Sequence, residues 1–274
     1  MKVICDADSI SFLLGWSFKT QNLDQSPESY TKAIQITDQF ISDILVGAKA
    51  TEYMGFLGGV HPTFRHLSNH EYKANRGLTK PDWYNQWAGL VNLRLKNYWK
   101  FNYIEGIEAE DAVSMIAHHY NYKDTVIAHI DKDLMQIPGL HYNYSTQEAN
   151  LVSSTEAARS LYKQVLMGDT TDNLPGIPGI GKKKALVILS NGNNSTDFMM
   201  LALDAFIKHF GEREGIIKFT ESYGMVKLLD VPAIGFDPGI YNFIPCNFSS
   251  QVDNSNLFLN LTSTPDDGSQ HAFQ

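Results

Sequence analysis

The stretch at positions 168–185, GDTTDNLPGIPGIGKKKA, constrains the fold of this chain more than any other. Pro175-Gly176, Pro178-Gly179 and Gly181 lie too close together for a helix to run through them. The lysines Lys182, Lys183 and Lys184 then open an apolar run, Ala185-Leu186-Val187-Ile188-Leu189, that reads as a new helix. Glycines let backbone approach a ligand closely, and a helix start leaves N–H groups for a phosphate. Lysines there can neutralise nucleic-acid phosphates. Just upstream, Asp169 and Asp172 lie three residues apart. One short segment therefore joins carboxylates of a metal-binding type to a turn suited to phosphates.

Further acids and cations recur along the chain. Lys2-Val3-Ile4-Cys5 reads as a short buried strand ending at Asp6, with Asp8 close behind. A carboxylate past the C-terminal end of a parallel strand sits where open α/β sheets place ligands. Positions 28–47 show helical apolar spacing, and Tyr53 to Leu57 reads as a second strand. In Glu71-Tyr72-Lys73-Ala74-Asn75-Arg76, a helix would put Lys73 and Arg76 on one face. Two such cations suit a phosphate whose negative charge grows during reaction. Glu108-Ala109-Glu110-Asp111 opens a helix, with Glu108 and Asp111 on one face; acids there are also favoured by the helix dipole alone. Thr125 to Ile130 is a buried-strand pattern closed by Asp131-Lys132-Asp133, and alternation puts the two aspartates on one side. Positions 140–152 read as further strand. A helix is expected over 154–167 with Ser154 or Thr155 as N-cap, and further helices over 198–210 and 216–229.

Taken in order, these motifs resemble the 5′-nuclease (flap endonuclease) superfamily, in particular the 5′→3′ exonuclease domain of bacterial DNA polymerase I and stand-alone phage-type 5′→3′ exonucleases. The segment at 168–185 is similar to that family's helix–three-turn–helix signature, and Tyr72-Lys73-x-x-Arg76 to its Tyr-Lys-x-x-Arg motif. The resemblance covers roughly positions 3–190. It implies an α/β fold with a central, mainly parallel sheet flanked by helices (a PIN-like core), a helical arch and a helix–three-turn–helix region. The nuclease core is expected over 1–165 with the arch at about 70–100, the DNA-binding region over 166–230, and a C-terminal extension of unread role over 231–274. Trp83, Tyr84, Trp87, Arg94, Lys96 and Trp99 fit an arch, yet the same stretch fits an ordinary amphipathic helix.

The implied activity is metal-dependent hydrolysis of DNA from 5′ ends and at 5′ flaps, in replication or repair, with RNA primers in RNA–DNA hybrids as further substrates. The implied ion ligands are Asp6, Glu108, Glu110, Asp111, Asp131, Asp133, Asp169 and Asp172, with Lys73 and Arg76 on the phosphate. Carboxylates without histidine or cysteine select Mg²⁺ or Mn²⁺ over zinc, here as two ions. Tyr72, Lys73, Arg76, Gly176, Gly179, Gly181 and Lys182 to Lys184 are expected to contact DNA, and a K⁺ ion is implied at the turn. The chain departs from the family at two places, the first being Glu110, which stands where the family's Glu-x-Asp-Asp motif has its first Asp. The Asp usual after the second strand is replaced by Gly58, and Asp8 is a candidate substitute.

The formal net charge of −8 argues against a nucleic-acid partner only if spread evenly. Setting aside the eight implied ligands and Asp8 leaves +1. Cys5 and Cys246 offer neither a disulfide framework nor zinc spacing, so a reducing compartment is expected, and the resemblance implies a bacterial or phage-infected cytoplasm. No signal peptide or membrane span is read, and a monomer is expected. Two rivals stand. One is a structure-specific DNA-binding protein that has lost catalysis, supported by Gly58. The other is a carboxylate ribonuclease of the toxin type, against which the Pro/Gly turn argues.

Overall fold

The computed structural model describes residues 1–24, 26–59, 62–76, 80–231 and 236–246, the side chain of Arg76 excepted. Five parallel strands carry the architecture: β1 (Lys2–Asp6), β2 (Glu52–Gly58), β3 (Asn102–Ile104), β4 (Thr125–His129) and β5 (Gly139–Asn143), while β6 (Glu148–Val152) lies antiparallel to β5. Their order in the sheet is β3-β2-β1-β4-β5-β6. The runs KVIC and TVIAH are apolar on both faces because helices cover both sides of a parallel sheet. The winding reverses at β1, which pairs with β2 on one side and β4 on the other. Such a reversal opens a crevice beyond the C-terminal ends of the central strands.

One face is covered by α1 (Asp8–Thr20) and α2 (Pro27–Gly47). After a short α3 (Phe64–Ser68) comes α4 (Asp82–Asn97), which joins them. Tyr84, Trp87, Val91 and Leu95 recur at helical spacing and are all buried. The stretch expected to supply an arch is therefore, over 82–97, a packing helix. Arg94 clamps it to α2 through Asp38, with Nε and Nη2 donating at 2.8 and 2.5 Å. Truncating a fully buried aromatic such as Trp87 costs about 3–5 kcal/mol. The opposite face is covered by α5 (Ala109–His119), whose Ala112, Val113 and Ile116 are fully buried.

A separate core forms from α6 (Ser154–Met167), α7 (Lys182–Ile188), α8 (Ser195–Phe210) and α9 (Glu212–Val226). Leu161, Val165, Ala185, Phe198 and Phe206 lie at its centre. The cluster takes in α6 as well as the residues after 165. The N-cap of α6 is Ser153, one residue earlier than expected, because Glu156 completes a capping box: Glu156 N–H donates to Ser153 Oγ at 3.2 Å and Ser153 N–H donates back at 2.9 Å. Between α6 and α7 a small hairpin pairs β7 (Gly168–Asp169) with β8 (Leu174–Pro175).

The C-terminal segment is described as far as residue 246, and that part is integral to the fold. Its β9 (Ile244–Pro245) pairs antiparallel with β2. Phe236 and Tyr241 pack on Phe56 at centroid separations of 6.0 and 5.4 Å. The remainder of the expected extension, 247–274, lies outside the described residues. No helix among the described residues is long and apolar enough to cross a membrane.

Candidate active site

Acids from four segments meet in the crevice at the strand ends. Asp6 closes β1 and is fully buried. It accepts from Asp8 N–H and Ser9 Oγ, each at 3.3 Å, in the turn into α1. Asp131 follows β4, and its Oδ1 accepts from Asp133 N–H at 2.8 Å, a local turn that fixes both acids. His129 supports this turn from below, its Nδ1 lying 2.7 Å from the Asp131 carbonyl. Asp133 and Asp169 share one amide: Gln164 Nε2 donates to them at 2.8 and 3.5 Å. Asp169 and Asp172 are held by the β7–β8 hairpin, where Thr171 N–H donates to Asp169 Oδ1 at 2.9 Å. Gly168 makes that hairpin possible. Its φ is +69°, and a Cβ there would meet Gly176 N at 2.3 Å.

The site's electrostatics are those of crowded like charges. Burial, then Asp8 and Asp131, push the Asp6 carboxyl well above the usual range. Glu110 is likewise pushed well up by burial, then by Asp6, Glu108, Asp131 and Asp8. Asp131 is raised by burial and by Asp172. Asp133 is pushed up to about 7 by burial, Asp131 and Asp169. Asp131 thus couples the acids around Asp6 to those of the hairpin.

Two lysines offset part of this charge. Lys73 Nζ donates to Glu108 Oε1 and lies 3.8 Å from Asp172 Oδ2. Burial alone would raise Glu108, but Lys73 and Arg65 outweigh it and hold the carboxyl low. Lys132 Nζ lies 3.0 Å from Asp169 Oδ2 and similarly overcomes burial there.

Three expected site residues sit differently from their expected roles. Asp111 is fully buried with both oxygens engaged by Arg65, at 2.5 and 2.9 Å. It also accepts from Glu108 N–H at 3.2 Å and Leu229 N–H at 3.1 Å. Those donors fill its oxygens, so it braces the site instead of facing an ion. Tyr72 is 4% exposed and faces the acids. Its hydroxyl donates to Glu108 Oε2 at 2.9 Å and reaches Asp172 Oδ2 at 3.2 Å. Gly176 is pressed against Met167 and Gly168, so close packing there already requires the missing side chain.

Arg65 was not expected as a site residue. It is 2% exposed and donates to Glu108 Oε2 at 3.1 Å and to the carbonyls of Met225 and Lys227 at 2.8 and 3.0 Å. It thereby ties α5 to the chain leaving α9. The signal in the sequence is the Phe64-Arg65 pair, which resembles the family's aromatic-arginine pair but by itself says nothing about burial. Asp8 is also in the pocket, its Oδ1 accepting from Gly58 N–H at 2.8 Å. Of the phosphate-facing pair, Lys73 is placed among the acids, while the Arg76 side chain lies outside the described residues.

On the helical side, Gly179, Gly181 and Lys182 to Lys184 are exposed. Gly179 has φ +76°, and its carbonyl accepts from Lys184 Nζ at 2.9 Å. Among the described residues no three acidic, histidine or cysteine side chains are close enough to enclose an ion by themselves. The donors are all oxygen and spread around a pocket, which fits a hard divalent ion that keeps much of its own water.

The family model described as 5′-3′ exonuclease, N-terminal resolvase-like domain, matches residues 2–162. The chain is 28% identical over 203 residues to a DNA polymerase I of Bacillus caldotenax, covering 68% of this chain and 23% of the relative. It thus spans about a quarter of that polymerase's length. It is also 28% identical over 205 residues to a 5′-3′ exonuclease of Buchnera aphidicola subsp. Schizaphis graminum, covering 70% of this chain and 71% of the relative. In fold it is similar to a bacteriophage T5 flap endonuclease solved with DNA and metal ions, with a TM-score of 0.65 at 17% identity over 83% of this chain and 89% of that one.

Proposed function

This chain belongs to the 5′-3′ exonuclease family, and from that membership we propose that it hydrolyses phosphodiester bonds of DNA from 5′ ends and at 5′ flaps, in a divalent-metal-dependent reaction. The observation that carries the reading is the convergence of Asp6, Glu108, Glu110, Asp131, Asp133, Asp169 and Asp172 on one crevice. Burial there makes like charges costly unless cations enter. Two Mg²⁺ or Mn²⁺ ions, held directly or through water by these acids, would activate a water and stabilise the leaving oxygen.

The chain's own residues have separable tasks. Lys73 neutralises Glu108 in the absence of ions. With cations held by the acids, that charge would come from outside, and the Lys73 ammonium would be available to the scissile phosphate, with Arg76 three residues on in sequence. Tyr72 spaces Glu108 from Asp172, and the Arg65–Asp111 pair holds the first turn of α5 in place. Lys182, Lys183 and Lys184, with the backbone at Gly179 and Gly181, grip duplex phosphates without reading bases. A K⁺ ion at this turn, action on RNA–DNA hybrids, a monomeric state and a reducing cytoplasm complete the proposal. Cys5 and Cys246 are both free thiols, in keeping with that compartment.

The test is cleavage of a 5′-labelled flap DNA by the full chain with and without Mg²⁺. The expected result is release of the flap strand with Mg²⁺ and none in EDTA. Tight binding with no cleavage in any divalent metal would instead favour a DNA-binding protein without catalysis. That rival rested on Gly58, and the Asp8 carboxylate lies against that position.

A further inference from the structure

Gly58 ends β2 at the rim of the crevice, and the space a side chain would take there is already filled. An ideal Cβ on Gly58 would lie 2.7 Å from Asp8 Oδ2. That clash is with a carboxylate oxygen, and the Gly58 backbone is not in the left-handed region, so a side chain at 58 would have to displace the Asp8 carboxylate. The other oxygen, Asp8 Oδ1, accepts from Gly58 N–H at 2.8 Å. Asp8 opens α1, so its side chain reaches across from the β1 turn to the tip of β2. There it shares the pocket with Asp6 and Glu110, whose carboxyls it helps to raise, and with Lys73, which stabilises its charge. One oxygen is thus fixed by the sheet, and the other is held at the rim of the acid pocket.

We propose that Asp8 is an ion-holding carboxylate of this site, seated across the sheet in the place that Gly58 leaves open, so that the two positions act as one unit. The inference rests on the metal-dependent reading above. It assigns the pocket a ligand from α1 and makes glycine at 58 a requirement of that ligand.

The test is calorimetric titration of Mn²⁺ into the ion-free full chain, with thermal midpoints measured in EDTA. Asp8→Asn keeps the hydrogen bond from Gly58 N–H but removes the charge. It should weaken Mn²⁺ binding about tenfold or more. Its EDTA midpoint should stay level or rise, because a buried like charge is gone. Gly58→Asp alone should bind Mn²⁺ poorly, since it collides with Asp8. The reciprocal double variant Asp8→Gly/Gly58→Asp should recover most of the affinity by supplying the carboxylate from β2. Asp131→Asn serves as the control. If Asp8→Asn binds Mn²⁺ like the parent while Asp131→Asn does not, Asp8 is a structural residue and the proposal fails alone. If neither substitution changes Mn²⁺ binding, the metal-dependent reading fails with it. A lowered EDTA midpoint for Asp8→Asn with unchanged ion affinity likewise overturns the proposal.

Discussion

Glu110 and Asp111 are adjacent in sequence, yet the fold treats their charges in opposite ways. Asp111 points inward and is matched on both oxygens by Arg65 and by backbone N–H groups. Glu110 points to the crevice, where Asp6, Glu108, Asp131 and Asp8 all oppose its ionisation. One acid is matched by donors of the polypeptide; the other has mainly carboxylates for neighbours, and in the proposed function a cation would match it. The difference separates bracing from chemistry within a single helical turn. A carboxylate whose partners are complete holds the fold, and one whose neighbours are mainly other carboxylates stores an electrostatic cost that ions relieve.

Breaking the braced side should have the largest effect. Arg65→Met leaves Asp111 buried without its counter-charge and should lower stability by about 3–5 kcal/mol in urea unfolding. Adding Asp111→Asn to that variant should restore part of the loss. On the ion-facing side, Asp131→Asn keeps the turn acceptor for Asp133 N–H but removes a charge. Flap cleavage should fall about 10²–10³-fold, while the midpoint in EDTA does not drop. If Asp131→Asn instead unfolds the chain as Arg65→Met does, the division between the two classes of acid is wrong.

The grip lysines lie further from the acids and should matter less. Lys182→Ala/Lys183→Ala should weaken duplex binding across all sequences and reduce the salt slope by about one per lysine. Binding measured at two salt concentrations checks this.

The smallest effect is on pH. The Asp133 carboxyl is pushed up to about 7 from an ordinary 3.8, so between those values the folded chain holds a proton that the unfolded chain has lost. Stability without ions should therefore fall as pH rises through that window. Asp133→Asn should flatten the slope, and a flat profile in the parent chain would argue that Asp133 is not crowded.

The chemistry was more legible in the sequence than the bracing. Asp6, Asp131 and Asp133 follow apolar runs that read as buried strands, and a carboxylate after such a run lands at the ligand end of the sheet. The partnership of Arg65 with Asp111 spans 46 residues. Nothing in local spacing marks that pair, because its geometry is set by how α3 and α5 pack. The burial of Tyr72 was hidden for the same reason. Its motif neighbours are polar, yet its ring inserts into the core shared by α6 and α8. In α4 the aromatics fitted two periodic readings, and the choice was made by α1 and α2 lying alongside. The pairing of β9 with β2 was unreadable because two residues, Ile244 and Pro245, carry no period.

Anomalous diffraction from crystals of the full chain soaked in Mn²⁺ bears on all of this at once. The account predicts Mn²⁺ peaks in the crevice among Asp6, Glu110 and Asp131 and beside the hairpin acids, with Lys73 displaced from Glu108. A crevice without peaks, with Lys73 still on Glu108 and Lys132 still on Asp169, would contradict it.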